Sequence, residues 1–258
     1  MKISLFAPYG LLHREVGVMG LLSNFLSKSG AEVVLLRCDG AQRACARDAA
    51  SVACRTPFSC APCMQEQGAI AQWAGIKSKQ LSSFLSPDDV GQVSAWLSGV
   101  KSDQLFRVEF RGASLWEPCR EQFLQRWNLE GGQEISSDQE QNLRALFFSH
   151  VTTRIAAERY ISVVKPSLHF VAGGDEAASQ AYMLQAKQAG GDIAVFSYVQ
   201  ESESVIVRSS ASESQYETKL VLEGITSMRS DPRTWAPEVT AIVHEMLSFL
   251  GYAPDRVV

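Results

Sequence analysis

Five of the six cysteines, Cys38, Cys45, Cys54, Cys60 and Cys63, fall within one short segment of the chain. Thiolates bind metals, exchange with disulfides or carry redox chemistry, so this crowding is the first chemical signal in the sequence. The spacing of Cys60-Ala-Pro-Cys63 lets two thiolates from one tight turn reach a single ion. Cys38 and Cys45 would complete the ligand set, with Cys54 a bystander. Read this way, the four form a structural zinc or iron–sulfur site that orders a loop with little core of its own. Two other readings stay open: a redox pair at Cys60 and Cys63, or small buried fillers, since free cysteine is among the most buried residue types. Cys119 stands apart and reads as structural.

Three further stretches carry groups able to do chemistry. Pro8-Tyr-Gly10-Leu-Leu-His13-Arg14-Glu15-Val-Gly17 holds His13 and Glu15, the acid/base-capable residues of that turn and candidates for a general base beside a hydroxyl. It is not a G-x-G-x-x-G turn, so it offers no support for a nicotinamide cofactor. Ala172-Gly173-Gly174-Asp175-Glu176 places glycines before a helix, where backbone N–H groups meet anions or hydroxyls. Its acidic residues oppose a phosphate and favour hydroxyl recognition, or simple capping by Asp175. Tyr198-Val-Gln-Glu201-Ser-Glu203 brings carboxylates to the end of a later strand, for a sugar, a basic partner or solubility. Against these, His150, His169 and His244 lack ligand-like spacing, and Trp73, Trp127 and Trp235 read as core. No G-x-S-x-G, H-E-x-x-H, Walker A or D-x-D motif occurs.

The elements that must position these groups follow from periodicity. Residues 2–7 alternate as a strand, 11–28 repeat apolar residues at helical spacing up to a C-cap at Gly30, and 31–37 form a second, doubly buried strand. This is a βαβ unit with an expected right-handed crossover. A cysteine-bearing loop spans 37–65, and a mostly helical insertion spans 66–165, with Ser86-Pro87 opening one of its helices. Residues 105–110 alternate as a strand or extended arm, and helices are expected at 116–128 and 137–163. Residues 166–258 form a second α/β part: strand 167–171, a helix to 189, strand 192–198, a loop or hairpin around Val205-Ile-Val207, and closing helices at 217–229 and 235–250. The whole reads as one Rossmann-like α/β domain with a mainly parallel sheet, and ligands of such sheets bind at the carboxyl edge.

Composition narrows the partners. A net charge of −4 across 258 residues, with no run of basic residues longer than two, argues against nucleic acid. The first apolar run is cut at Pro8, which is not the pattern of a secretory signal. No segment approaches a bilayer span, so membrane contact is at most peripheral. A cytoplasmic location is expected, where thiols stay reduced, and this weighs against a disulfide framework.

In this order the features resemble the N-terminal, acceptor-side half of GT-B type glycosyltransferases from bacterial surface or capsular polysaccharide clusters. The resemblance covers about residues 1–205 and rests on Gly10-Leu-Leu-His-Arg-Glu-Val-Gly17, Leu-Leu-Arg-Cys38-Asp-Gly40, Cys45, Cys60-Ala-Pro-Cys63 and Phe170-Val-Ala-Gly-Gly174. It implies sugar transfer from a nucleotide-activated donor to a glycan acceptor, without a metal essential to the chemistry. His13 and Glu15 would then stand near the reacting hydroxyl, with Gly10 on the same edge and Gly173, Gly174, Asp175 and Glu201 lining the opposite wall. Such enzymes carry a second, donor-binding half that has no counterpart here, so a subunit pairing with a separate donor-binding protein is one of three open readings. The chain as a fragment, or as a relic without activity, are the other readings. A non-enzymatic, metal-holding module that docks a partner is the rival from another class, and a thiol redox protein is a third.

Overall fold

The computed structural model describes residues 1–9, 14–45, 57–129, 135–199, 204–210, 215–218 and 237–251. Its centre is a seven-stranded sheet in the order β3-β2-β1-β6-β7-β8-β9. The strands are β1 (Lys2–Ala7), β2 (Glu32–Arg37), β3 (Lys77–Gln80), β6 (Leu168–Ala172), β7 (Asp192–Val199), β8 (Ser204–Ser209) and β9 (Gln215–Thr218). β3, β2, β1, β6 and β7 run parallel, and β8 and β9 add an antiparallel edge. This is the Rossmann-like α/β architecture expected from the sequence.

Both faces of the sheet are covered, which is why β1 and β6 are buried along nearly their whole length. Alternation sends Ile3, Leu5 and Ala7 to one face. They pack there with α1 (Arg14–Lys28), α2 (Pro57–Ala74) and α7 (Pro237–Phe249). Phe6, Val34, Leu36 and Val171 face the other side. There they meet α6 (Ala177–Gln188) and the carboxyl-terminal half of α5 (Ser137–Val164). The Phe6 ring stacks on Tyr182 at 4.4 Å between centroids.

At 28 residues, α5 is about 42 Å long, too long to be spent on the sheet alone. Its first half forms the core of the helical middle, against α3 (Pro87–Gly99), α4 (Trp116–Trp127) and the short hairpin of β4 (Glu109–Phe110) and β5 (Ala113–Ser114). α3 opens at a capping box in which Ser86 and Asp89 satisfy each other's backbone N–H groups. Asp89 also takes a bidentate pair from Arg159 of α5, which holds its carboxyl well below the usual carboxylate range.

A buried chain of hydroxyls ties the two halves of the sheet. The Nδ1–H of His169 donates to Tyr182 (2.8 Å), Tyr182 to Ser4 (2.6 Å), Ser4 to Tyr160 (2.9 Å), and Tyr160 to the Val34 carbonyl (3.4 Å). Every donor in the series has an acceptor, which offsets part of the cost of burying four polar groups, while His169 Nε2 has no partner among the described residues.

Four features differ from the sequence reading. β3 is a strand where a helix was expected: Lys77-Ser-Lys-Gln80 is wholly exposed and polar, so it carries no apolar period and owes its place to pairing with β2. α2 begins at Pro57, which puts Cys60 and Cys63 on its first turns rather than in a loop. The expected strand or arm at 105–110 is a 3₁₀ turn, Ser102–Arg107, leading into β4. Of the helix expected at 217–229, Glu217 and Thr218 belong to β9 and the rest lies outside the described residues. Among the described residues no helix is long and apolar enough to cross a membrane.

Candidate functional site

From β1 the chain moves one way to β2, and β6 pairs on the other side of β1. The carboxyl ends of β1 and β6 therefore flank the topological switch point, where open α/β sheets leave a crevice. Tyr9 follows β1 and is buried; its hydroxyl donates to Glu176 Oε1 at 2.7 Å, bridging the switch point. The other carboxylate oxygen of Glu176 accepts the Gly174 N–H at 3.0 Å.

The β6–α6 turn is fixed on every side. Gly173 donates to the Phe196 carbonyl (2.8 Å), its own carbonyl accepts from Ser197 Oγ (2.9 Å), and the Gly174 carbonyl accepts from Gln180. Gly173 and Gly174 adopt φ of 78° and 129°, a region that favours glycine. A Cβ on Gly173 would overlap both Glu176 and the Tyr9 hydroxyl, and one on Gly174 would lie 2.7 Å from Val195 Cγ1. The N-cap of α6 is Glu176 rather than Asp175; Asp175 is exposed.

This turn is not built for a phosphate. The Gly174 N–H is taken by Glu176, and the Ala177 N–H donates to Gln122 Oε1 of α4 at 2.9 Å. Two of the donors that could cradle an anion are thus occupied by the protein's own acceptors.

Beside the turn, between α4, α5 and α6, lies a cleft of about 350 Å³, lined in part by Ser114, Glu117, Glu121, Asp175 and Gln180, with His150 in its wall. The lining carries three carboxylates and, among the described residues, no lysine or arginine. His150 is 1% exposed, and its Nδ1–H donates to the Ala177 carbonyl at 2.8 Å. That bond fixes the tautomer, because a carbonyl can only accept, so Nε2 keeps its lone pair. Among the described residues Nε2 has no hydrogen-bond partner. Burial pushes the imidazole down to about 4, with the Arg154 charge adding to the fall, so it is neutral at pH 7. The cleft thus offers carboxylate acceptors, and the neutral His150 lies in its wall with Nε2 shielded from solvent. Hydroxyl groups are matched to such a lining, whereas phosphates are repelled by it.

Of the residues singled out from sequence, the structure brings Gly173, Gly174 and Asp175 to this edge. Gly10, His13, Glu201 and the side chain of Glu15 lie outside the described residues. His150 was set aside for its spacing, Glu176 was read only as a charge of the turn, and Tyr9 and Gln122 were missed. Histidine 150 sits inside Ala145-Leu-Phe-Phe-Ser-His150-Val151, and a titratable residue within so apolar a helical run is the signal that could have marked it.

The cysteines lie past the carboxyl end of β2. Cys38, Cys45, Cys60 and Cys63 are all buried and free, and Cys45 and Cys63 belong to the core between α1 and the sheet. The Cys38 thiol accepts from the Gly40 and Gln42 backbone, has Cys45 as an electrostatic neighbour, and is pushed up to about 12 by burial. A Cβ on Gly40 would stand 3.9 Å from Cys60 Sγ. Among the described residues no three of His, Cys, Asp or Glu converge to hold a metal ion. Cys54 lies outside the described residues.

No family model matches the chain, and no curated protein matches it. Among solved structures, the zinc-inhibited form of teicoplanin deacetylase Orf2 is similar at 11% identity, with 96% of this chain and 83% of that chain covered and a TM-score of 0.42. Tyrosyl-tRNA synthetase complexed with L-tyrosine, from Archaeoglobus fulgidus, is similar at 11% identity, with 100% and 90% covered and a TM-score of 0.37.

Proposed function

We propose that the chain is the acceptor-binding half of a GT-B type glycosyltransferase of bacterial surface-polysaccharide assembly, with the donor nucleotide held by another half or subunit. One observation carries the reading: a carboxylate-lined cleft beside the switch point has in its wall the neutral His150, whose Nε2 is buried and has no hydrogen-bond partner among the described residues. That lining accepts hydrogen bonds from sugar hydroxyls, and the self-occupied Gly173-Gly174 turn leaves the donor's phosphates to that partner half or subunit.

In the reaction an acceptor hydroxyl oxygen attacks the anomeric carbon of a nucleotide sugar. The new C–O bond forms as the bond to the nucleotide phosphate breaks, and the phosphate leaves with the electron pair. The hydroxyl proton passes to a base, for which His13 and Glu15 are the sequence's candidates. His150, held near 4, is a poor store for that proton; its part is to orient the hydroxyl.

Thermal shift with UDP-, GDP- and CMP-sugars and a panel of free saccharides tests this. Saccharides should stabilise the wild type and not His150→Gln, while nucleotide sugars should act only when the partner is present. Stabilisation by ammonium compounds such as spermidine, with none by saccharides, would overturn the reading.

A second reading has one observation in its favour. Cys38 neighbours Cys45, and Cys60 abuts Gly40, so the thiols gather on one flank. A metal-held module that docks a partner protein would use that flank, and about one zinc, or iron–sulfur absorbance, in anaerobically purified protein would support it.

A further inference from the structure

On the outer side of the helical middle lies a second groove, of about 780 Å³, between the last turns of α3 and the segment leading into β4. Trp96 stands in it 36% exposed, an unusual position for so large an apolar ring. The ring is not loose. It packs on Phe110 at 5.7 Å between centroids, and Phe110 is held by Arg154, whose guanidinium lies 5.4 Å from its ring and donates to its carbonyl at 2.9 Å. Gly99 leaves the surface beside Trp96 open, since a Cβ there would meet nothing within 4 Å.

Around the ring stand Gln104, Arg107 and Glu109. Among the described residues none of these three side chains has a hydrogen-bond or ion-pair partner. A flat, exposed aromatic face edged by planar donors and acceptors fits a pyranose ring, which has C–H groups on its faces and hydroxyls on its rim. A protein-docking core would be poorer in glutamate, and a nucleic-acid track would need more than the single arginine in this lining.

The two clefts share a wall. Glu109 of β4 lines the outer groove, Ser114 of β5 lines the inner cleft, and the two are cross-strand partners. Partners in an antiparallel pair have Cα atoms about 4.5–5.5 Å apart, so one narrow hairpin separates the sites.

We infer that the Trp96 groove is a second sugar subsite, taking units of an oligosaccharide whose reacting end occupies the His150 cleft. The inference rests on the acceptor reading and names its substrate class: a chain of several sugars rather than a single one.

Titration calorimetry of the full chain against bacterial surface-polysaccharide fragments of one to six units tests it. The longer fragments should bind at least tenfold more tightly than the monosaccharides. Trp96→Ala should abolish that preference and leave monosaccharide affinity unchanged, and Trp96→Phe should restore most of it. Length-independent binding, or a preference that survives Trp96→Ala, overturns the second subsite and leaves the His150 cleft standing. No saccharide binding at all overturns both. Concentration-dependent self-association that Trp96→Ala removes, without a change in saccharide binding, assigns the face to protein contact instead and overturns the inference.

Discussion

Replacing Gly173 by alanine should destabilise the protein far more than one methyl group suggests. At φ 78° a side chain costs about 1–2 kcal/mol of backbone strain. The added Cβ also occupies the space of the Tyr9 hydroxyl and the Glu176 carboxylate, so their 2.7 Å bond must break. A buried hydrogen bond to a charged group contributes about 1.5–3 kcal/mol. Together these give about 2.5–5 kcal/mol, and at about 2–4 °C per kcal/mol for a chain of this size the midpoint falls by roughly 5–20 °C. Urea unfolding of Gly173→Ala beside Tyr9→Phe separates the two causes. Tyr9→Phe removes the bond without the strain and should cost about 1.5–3 kcal/mol, leaving about 1–2 kcal/mol for the backbone. A loss below about 1 kcal/mol in Gly173→Ala, or none in Tyr9→Phe, would refute the argument that this bond locks the switch point.

Other outcomes follow from the same structure. His150 and His169 are both pushed by burial from 6.5 down to about 4. Between those values the unfolded chain binds more protons, so stability is full above pH 6.5 and is lost as pH falls toward 4. At pH 5 each should cost about 2 kcal/mol relative to pH 7.5, and His150→Gln should roughly halve the decline seen by urea unfolding. Ser86→Ala removes the α3 cap and should cost about 1 kcal/mol in the same assay; an unchanged midpoint would deny the capping box its role. Cys119 is fully buried with its thiol pushed up, so iodoacetamide should label it only after unfolding, as read by peptide mass spectrometry. Labelling in the native protein at the unfolded rate would contradict that burial.

Much of the fold was legible because local chemistry and tertiary structure agree. The βαβ opening, the Ser86-Pro87 helix start, the strand–Gly–Gly–helix turn and the Val205-Ile-Val207 hairpin each carry their own signal and stand where the sequence puts them. β3 was not legible, since an exposed Lys-Ser-Lys-Gln strand exists only through its partner. The site was half legible. Glycines at a strand end announce the switch point, but Tyr9 and Glu176 meet across 167 positions of sequence, and no local pattern encodes that contact. His150 was hidden for a similar reason: one helix supplies the imidazole, another the Ala177 carbonyl that sets its tautomer, and a third Glu117 and Glu121.

On the proposed reading, His150 Nε2, shielded in the unliganded protein, receives a sugar hydroxyl when a saccharide enters the cleft. The chain has four histidines, so its imidazole ¹⁵N spectrum is simple enough to assign by substitution. Adding a saccharide that stabilises the protein should move the His150 Nε2 resonance, as its lone pair accepts a hydrogen bond, and leave His169 in place. Saturating saccharide binding that leaves His150 Nε2 unmoved would contradict the account.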